Sequence, residues 1–174
     1  FGKRGTDGKI AAITFARKNK IPFLGICYGM QMAIIEFARN ELNIKRATSS
    51  EFDKKGVPII GLIDEWIKDG KIIKGTDKDL GGTMRLGSYQ AKLEENSKIK
   101  KIYGRKFIKE RHRHRYEVNI NYMDKFKKKG MNFSGLSPNG LLPEIIELEN
   151  HPWFIGVQFH PEFKSRPLAP HPLF

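Results

Sequence analysis

The feature that most constrains this chain is a glycine-framed turn, Gly25-Ile-Cys-Tyr-Gly29, between two segments of different hydrophobic periodicity. The apolar run 21–26 before the turn is typical of a buried strand. After it, the apolar residues from Met30 to Ala38 recur at offsets of three and four, which predicts one face of a helix. This order of strand, turn and helix indicates an α/β fold, and the turn is typical of a nucleophile elbow centred on Cys27.

An elbow would make Cys27 reactive. Glycines at both flanks allow a sharp turn, and the helix that follows directs its N-terminal N–H groups at the sulfur. We therefore expect the pKa of Cys27 to lie below its ordinary value of about 8.5. The backbone N–H of Tyr28 would donate into an oxyanion hole. The alternative is a small buried cysteine in a tight turn, and these residues alone leave both interpretations open.

A thiol nucleophile needs a base, and His160 is the candidate. It follows a predicted apolar strand, 154–159, and Glu162 stands two residues further on. Because the carboxyl ends of strands form the site of an open α/β sheet, Cys27 and His160 are expected to meet there. Cys27 as nucleophile, His160 as base and Glu162 as the group that orients the imidazole form a consistent triad. A surface His-Pro turn is the alternative.

A second unusual run is Arg111-His-Arg-His-Arg-Tyr116. In an extended strand its arginines share one face, while its histidines and Tyr116 share the other. An arginine there could hold a ligand's carboxylate or phosphate, and a His-x-His pair could bind a metal, although no further ligand spacing completes a site. A charged edge strand remains equally open.

The rest of the chain is predicted from local patterns. Residues 41–83 are expected to be loops with short elements. The predicted elements are a helix capped by Thr6 or Asp7 that ends near Asn19, strands at 84–93 and towards the end of 111–118, a short helix at 121–129, and a hairpin of 133–137 with 144–148.

Composition sets the broad class. The 174 residues are 39% hydrophobic and 29% charged, which fits one globular domain and excludes a disordered, collagen-like or coiled-coil chain. The net charge of +13 is compatible with a solvated lysine-rich surface, an anionic small ligand or nucleic acid. The single cysteine and the absence of a secretory segment predict a cytoplasmic location. Since the first residue is Phe1, we expect the chain to be a piece of a longer protein.

Together, the runs Gly25 to Gln31 and Gly156 to Glu162 resemble the class I, Cys-His-Glu glutamine amidotransferases. More narrowly, the whole chain is similar to the glutaminase domain of the CTP synthase family. That likeness is carried by the stretches 4–9, 36–40, 50–52, 81–87, 110–119 and 163–167. It implies an α/β class I amidotransferase fold with an open, mostly parallel sheet flanked by helices. Residues 1–174 would be one glutaminase domain, truncated at its N-terminus and lacking its first strands, with the amidoligase domain absent.

The resemblance also implies a reaction. Cys27 would attack the side-chain amide of L-glutamine, and water would hydrolyse the thioester to glutamate. The released ammonia would serve a separate amidoligase domain that aminates UTP to CTP with ATP and Mg²⁺, under activation by GTP. This domain itself would need no cofactor and no metal, the full enzyme would be a homotetramer, and neither nucleic acid nor a membrane would be a partner.

Residue by residue, the resemblance implies two further groups. Glutamine would be held by Phe1, Tyr28, Gly29, Met30, Gln31, Glu51, Arg115 and Tyr116. An allosteric lid would include Gly82, Arg85, Leu86 and Gly87. The family usually has Leu at the position of Tyr28, and a Pro-Gly-Gly stretch that supplies the second oxyanion donor usually precedes Phe1. The competing hypotheses are a free-standing γ-glutamyl cysteine hydrolase and a non-enzymatic basic binding module.

Overall fold

A computed structural model describes residues 2–62, 67–68, 71–72 and 84–174. Its helices are α1 (Thr6–Lys18), α2 (Tyr28–Asn40), α3 (Lys98–Tyr103) and α4 (Met123–Lys127), with 3₁₀ turns at Ile120–Tyr122 and Pro161–Phe163. Its strands are β1 (Phe23–Ile26), β2 (Ala47–Ser49), β3 (Val57–Gly61), β4 (Ile67–Lys68), β5 (Lys71–Ile72), β6 (Arg85–Leu93), β7 (Phe107–His114), β8 (Glu117–Val118), β9 (Met131–Leu136), β10 (Pro143–Leu148) and β11 (Phe154–Val157).

The main sheet has the strand order β1-β11-β10-β9-β6-β7. Among these described strands, β1 and β11 are parallel, and the four other neighbouring pairs are antiparallel. The predicted mostly parallel sheet is therefore wrong in this respect, although the α/β class and the flanking helices are confirmed. The predicted hairpin of 133–137 with 144–148 is confirmed, because the turn 138–140 joins the antiparallel strands β9 and β10, and a tight link of this kind is possible only between antiparallel strands.

Helix α2 occupies the centre of the molecule, between the main sheet and the smaller sheet β2-β3-β8. Its residues from Met30 to Ala38 are buried all round. Gly25 and Gly156 lie opposite each other on β1 and β11 beneath this helix. A Cβ on Gly25 would lie 2.9 Å from the backbone of Gly29 and Met30, and one on Gly156 would lie 3.1 Å from the Cβ of Met30. The two glycines therefore let α2 approach the sheet closely.

Two helix starts differ from expectation. Helix α1 spans the predicted residues, but Gly5 is its N-cap and the hydroxyl of Thr6 donates to the carbonyl of Lys3 instead of capping the helix. Helix α3 was not predicted at all. Its signals are Ser97, whose side chain caps it, and Gly104, a left-handed residue at its end. Six residues are too few to show a hydrophobic period, so only these caps could have revealed it.

The Arg-His run lies largely in β7, which is an edge strand of the main sheet. Its predicted alternation is confirmed: Arg111 and Arg113 are exposed, whereas His112 and His114 are buried. In the part of the chain that the structure describes, no three His, Cys, Asp or Glu side chains form a group that could hold a metal ion. None of the helices within those ranges has the length and apolar character that a membrane span requires.

Candidate active site

Cys27 stands alone between β1 and α2 in a backbone conformation that L-residues rarely adopt, with φ 50° and ψ −100°. Its N–H donates to the carbonyl of Val157 at 2.7 Å, which fixes the turn to the neighbouring strand β11. The side chain is only 7% exposed. A strained residue held in this way between a strand and a helix has the geometry of the predicted nucleophile elbow.

His160 and Glu162 follow β11, the parallel neighbour of β1. Ile26 pairs with Val157 at the ends of the two strands, so Cys27 and His160 leave the sheet at the same edge, as predicted. The imidazole Nδ1 lies 2.7 Å from Glu162 Oε1. Because an ionised carboxylate only accepts, Nδ1 is the donor in this contact, and in the neutral imidazole Nε2 then keeps its lone pair. Nε2 is buried and has no hydrogen-bond partner among the described residues.

The ionisation of Cys27 differs from the prediction. The pKa of its thiol is raised to about 12, with burial as the largest cause and the carboxylates of Glu117 and Glu162 as smaller contributions in the same direction. The backbone N–H of Tyr28 and the side-chain amide of Gln158 act in the opposite direction. The helix N-terminus is thus directed at the sulfur as expected, but the cost of removing the thiolate from water is larger. The expected low pKa is wrong for this state of the site.

Gln158 is a neighbour of the sulfur that sequence reasoning missed. Its Nε2 donates to Cys27 Sγ at 3.6 Å, and its Oε1 accepts from Gln31 Nε2 at 3.1 Å. Gln31 Nε2 also donates to the carbonyl of Tyr116 at 2.9 Å. Gln158 lies inside the run Gly156 to Glu162, two residues before His160, and this proximity was the available signal.

The predicted glutamine-binding residues divide into groups. Tyr28 and Glu51 meet at the N-terminal segment: the Tyr28 hydroxyl donates to the Gly2 carbonyl at 2.6 Å, and Gly2 N–H donates to Glu51 Oε1 at 3.0 Å. Burial raises the pKa of Tyr28 to about 12, so it is a neutral donor. Gly29 borders open space, with no atom within 4 Å of a Cβ built there.

The other members differ in exposure. Met30 is fully buried in the core, so only its backbone can face a ligand. Gln31 is 3% exposed, and its Oε1 accepts no hydrogen bond from any described residue. Arg115 is exposed and without a polar partner in the described ranges. Tyr116 is half-buried against the core. Phe1 lies outside the described residues.

The predicted lid residues do not form one surface group. Arg85 is 4% exposed and begins β6, so it is an interior residue, and its membership of a lid stays a prediction. Leu86, the next residue, is 63% exposed, and Gly87 has a φ of 114° that favours glycine. Gly82 lies outside the described residues.

Arg85 connects two buried carboxylates, one of which, Glu117, acts electrostatically on Cys27. Its two terminal nitrogens lie 3.0 Å from Glu117 Oε1 and 2.8 Å from Glu144 Oε1, and both carboxylates are fully buried. Burial raises the pKa of Glu117 to about 7 and also raises that of Glu144. One cation therefore serves two acids that are costly to ionise together.

Two histidines complete this group, which we call the Arg85 cluster (Arg85, His112, His114, Glu117 and Glu144). His114 Nδ1 lies 3.2 Å from the carbonyl of Tyr116 and must donate to it, so His114 Nε2 accepts from His112 Nδ1 at 2.9 Å. His112 Nε2 is left as an acceptor 3.5 Å from Glu144 Oε2. A proton on Glu144 would suit this contact, in agreement with its raised pKa.

The family model for "Glutamine amidotransferase class-I" matches residues 1–174. The chain belongs to the class I glutamine amidotransferase family. The predicted family and its α/β fold are thereby confirmed. A glutamine amidotransferase from Thermotoga maritima, 15% identical with a TM-score of 0.54 over 90% of this chain and 47% of its own, shows the same fold.

More similar relatives are CTP synthases, as predicted. The chain is 84% identical to the CTP synthase of Pelagibacter ubique over all 174 residues and 62% identical to that of Bartonella tribocorum over 175, in each case covering 32% of the relative. The chain thus spans about a third of the length of these curated relatives. A solved structure of the Trypanosoma brucei CTPS glutaminase domain with bound acivicin is 37% identical. The match has a TM-score of 0.86 over 99% of this chain and 64% of that one.

Proposed function

We propose that this chain is the glutaminase domain of a CTP synthase and hydrolyses L-glutamine at Cys27. The observation that carries the proposal is that an elbow cysteine and the His160–Glu162 pair follow the same ends of two neighbouring parallel strands. Similarity to a third of each CTP synthase relative, and to a domain named as a glutaminase, supports the choice of substrate.

The proposed reaction begins with a neutral thiol, because burial keeps the pKa of Cys27 near 12. His160 Nε2 takes the thiol proton as Sγ bonds to the carboxamide carbon, and the N–H of Tyr28 stabilises the resulting oxyanion. The imidazolium then gives its proton to the departing nitrogen, so ammonia leaves and a thioester remains. Water attacks the thioester while His160 takes a proton from it. Glutamate departs, and the returned proton restores the Cys27 thiol.

Substrate recognition would use polar side chains of the proposed pocket, of which Glu51 also accepts from the Gly2 N–H. Glu51 and the free Oε1 of Gln31 suit the ammonium group of glutamine, and Arg115 suits its carboxylate. The open space beside Gly29 leaves room for the aliphatic chain. Phe1, Tyr28, Tyr116 and the backbone of Met30 complete the proposed set.

The whole protein would use the ammonia elsewhere. We propose that residues 1–174 work with an amidoligase domain that aminates UTP to CTP with ATP and Mg²⁺, a step of pyrimidine nucleotide biosynthesis. GTP activation through a lid containing Gly82, Arg85, Leu86 and Gly87, a homotetrameric assembly and a cytoplasmic location stay predictions. The ATP, Mg²⁺ and GTP would belong to that larger enzyme, and the glutaminase step requires none of them.

The test is covalent labelling by a diazoketone analogue of glutamine, followed by intact-mass measurement. We expect a single adduct on the wild-type protein, protection by excess glutamine, and no adduct on Cys27→Ser. Circular dichroism establishes that each sample is folded. A folded protein that gains no adduct would contradict the proposal, and stronger protection by a γ-glutamyl peptide than by glutamine would favour the free-standing hydrolase.

A further inference from the structure

We propose that Gln158 is a further catalytic residue, whose amide N–H stabilises the sulfur of Cys27, and that Gln31 is the residue that holds this amide in place. The inference rests on the proposed function for its reaction steps. Its physical basis is independent of the substrate, because Gln158 Nε2 lies 3.6 Å from Cys27 Sγ, the reacting atom.

The orientation of both amides follows from a backbone carbonyl. The Tyr116 oxygen can only accept, so the Gln31 atom 2.9 Å from it must be the nitrogen. The same nitrogen directs its second hydrogen to Gln158 at 3.1 Å, so the Gln158 atom there must be the oxygen. The nitrogen of Gln158 is then the only end of its amide left to face the sulfur. The Tyr116 carbonyl therefore sets the orientation of both amides, so that the Gln158 nitrogen donates to Cys27 Sγ.

Burial makes this arrangement rigid. Gln158 is fully buried, and its backbone N–H donates to the carbonyl of Glu144 at 2.8 Å. Gln31 is buried on the central helix α2. A buried amide that turned over would place its oxygen against the sulfur and its nitrogen against the Gln31 nitrogen, leaving two unfavourable contacts without water to relieve them.

The electrostatic surroundings explain why such a donor is needed. Among the described residues, the carboxylates of Glu117 and Glu162 act on Cys27, and both disfavour a thiolate. The amide of Gln158 opposes them without adding a charge to a buried site. It therefore lowers the cost of negative charge on sulfur while leaving His160 free of a competing cation.

In the proposed reaction, negative charge appears on sulfur twice. As the thiol proton moves to His160, electron density builds on Sγ until the bond to the carboxamide carbon forms. When the thioester is hydrolysed, the carbon–sulfur bond breaks and the electron pair returns to Sγ before a proton restores the thiol. The hydrogen bond from Gln158 N–H to Sγ strengthens at both moments and weakens in the neutral thioester. It therefore stabilises the transition states more than the resting species.

The experiment measures the second-order rate of Cys27 alkylation by iodoacetamide at pH 8, by intact mass. Iodoacetamide needs no glutamine pocket, so its result is separate from the success or failure of the diazoketone test. We expect Gln158→Met, which keeps the volume but removes the donor, to slow alkylation about tenfold. This is the lower end of the effect of a hydrogen bond to a charged group, as suits a sulfur acceptor.

Two further variants separate the donor from general damage. Gln31→Met leaves Gln158 free to turn over and should slow alkylation about threefold, between the wild type and Gln158→Met. Asn119→Leu removes another buried amide, which contacts Pro58 and Asn121 instead of the sulfur, and should leave the rate unchanged. Thermal unfolding of each variant identifies those that are folded.

The sign of the change decides the result. A merely structural role predicts faster alkylation, because a loosened site admits water and reagent to a buried thiol. Folded Gln158→Met protein that reacts at the wild-type rate or faster would overturn the inference. If Gln158→Met does not fold, Gln31→Met decides in its place, and an unchanged or increased rate there would overturn it equally.

Discussion

Replacing Arg85 by methionine tests whether this residue is an interior ion-pair partner or part of a surface lid. Methionine keeps much of the side-chain length but removes the charge and every donor. Glu117 and Glu144, both fully buried, would lose the cation that each contacts at about 3 Å. The variant also loses the stacking of the guanidinium on the Tyr89 ring, at 4.6 Å from its centre.

The expected loss of stability is large. Removing one partner from a buried ion pair costs about 3–5 kcal/mol, because the other charge stays buried or must be protonated. The high pKa of Glu117 and Glu144 lets them take up protons, which keeps the loss within this range, and the cation–π contact adds about 0.5–1 kcal/mol. Since whole domains are stable by about 5–15 kcal/mol, the variant should be severely destabilised.

Urea denaturation at pH 7.5, followed by circular dichroism, measures this loss. The control is Leu86→Ala, which changes an exposed neighbour and should alter the free energy of unfolding by less than about 0.5 kcal/mol. Adding Glu117→Gln and Glu144→Gln to the Arg85 variant should restore at least half of the lost stability, because the uncompensated acids are gone. A loss below about 1 kcal/mol for Arg85→Met would refute the buried-cluster interpretation and favour the lid.

Two other perturbations have expected outcomes. Gly25→Ala should disrupt the elbow and lower the free energy of unfolding by about 1–3 kcal/mol, because its Cβ would lie 2.9 Å from backbone atoms. Gly29→Ala meets no atom and should stabilise α2 by about 0.5–1 kcal/mol. Urea denaturation measures both changes, and equal effects of the two substitutions would contradict the prediction. Burial lowers the pKa of His114 to about 3 in the folded protein. Below about pH 6.5 the unfolded chain therefore binds a proton at His114 that the folded protein does not bind. The free energy of unfolding then falls on acidification by up to about 1.4 kcal/mol per pH unit. Between pH 7 and pH 4, His114→Gln should lose less of its free energy of unfolding than the wild type does. If both proteins lose the same amount, His114 is not the origin of the pH dependence.

Local sequence patterns predicted the elements near Cys27 well. The strand, the elbow and α2 lie where hydrophobic periodicity and the two glycines place them, because each is determined by contacts over a few residues. The turn signal at 138–140 also predicts the antiparallel pair β9 and β10, but the direction of the other strand pairs is not predictable in this way. That direction depends on how segments distant in the sequence return to the sheet. Helix α3, between β6 and β7, is likewise hard to predict, because its only local signals are the caps Ser97 and Gly104.

The site shows the same division. Cys27, His160 and Glu162 could be selected because each follows a strand that the apolar pattern reveals. Gln158 and the Arg85 cluster could not, because their roles depend on side chains 32 to 131 residues apart in the sequence. The resemblance places Arg85 in a lid segment, and nothing in its neighbouring residues indicates that it contacts two buried carboxylates.

The cysteine itself explains why a motif can predict a nucleophile but not its ionisation. The elbow directs the N–H of Tyr28 at the sulfur, and this favours the thiolate as expected. However, the same close packing of α2 on Gly25 and Gly156 that builds the elbow leaves Cys27 only 7% exposed, and burial disfavours a charge more strongly than one N–H favours it. The thiol therefore stays protonated in the free site, and its proton must leave as the carbon–sulfur bond forms. A buried acceptor on His160 and a buried donor on Gln158 are the groups that this coupled step requires.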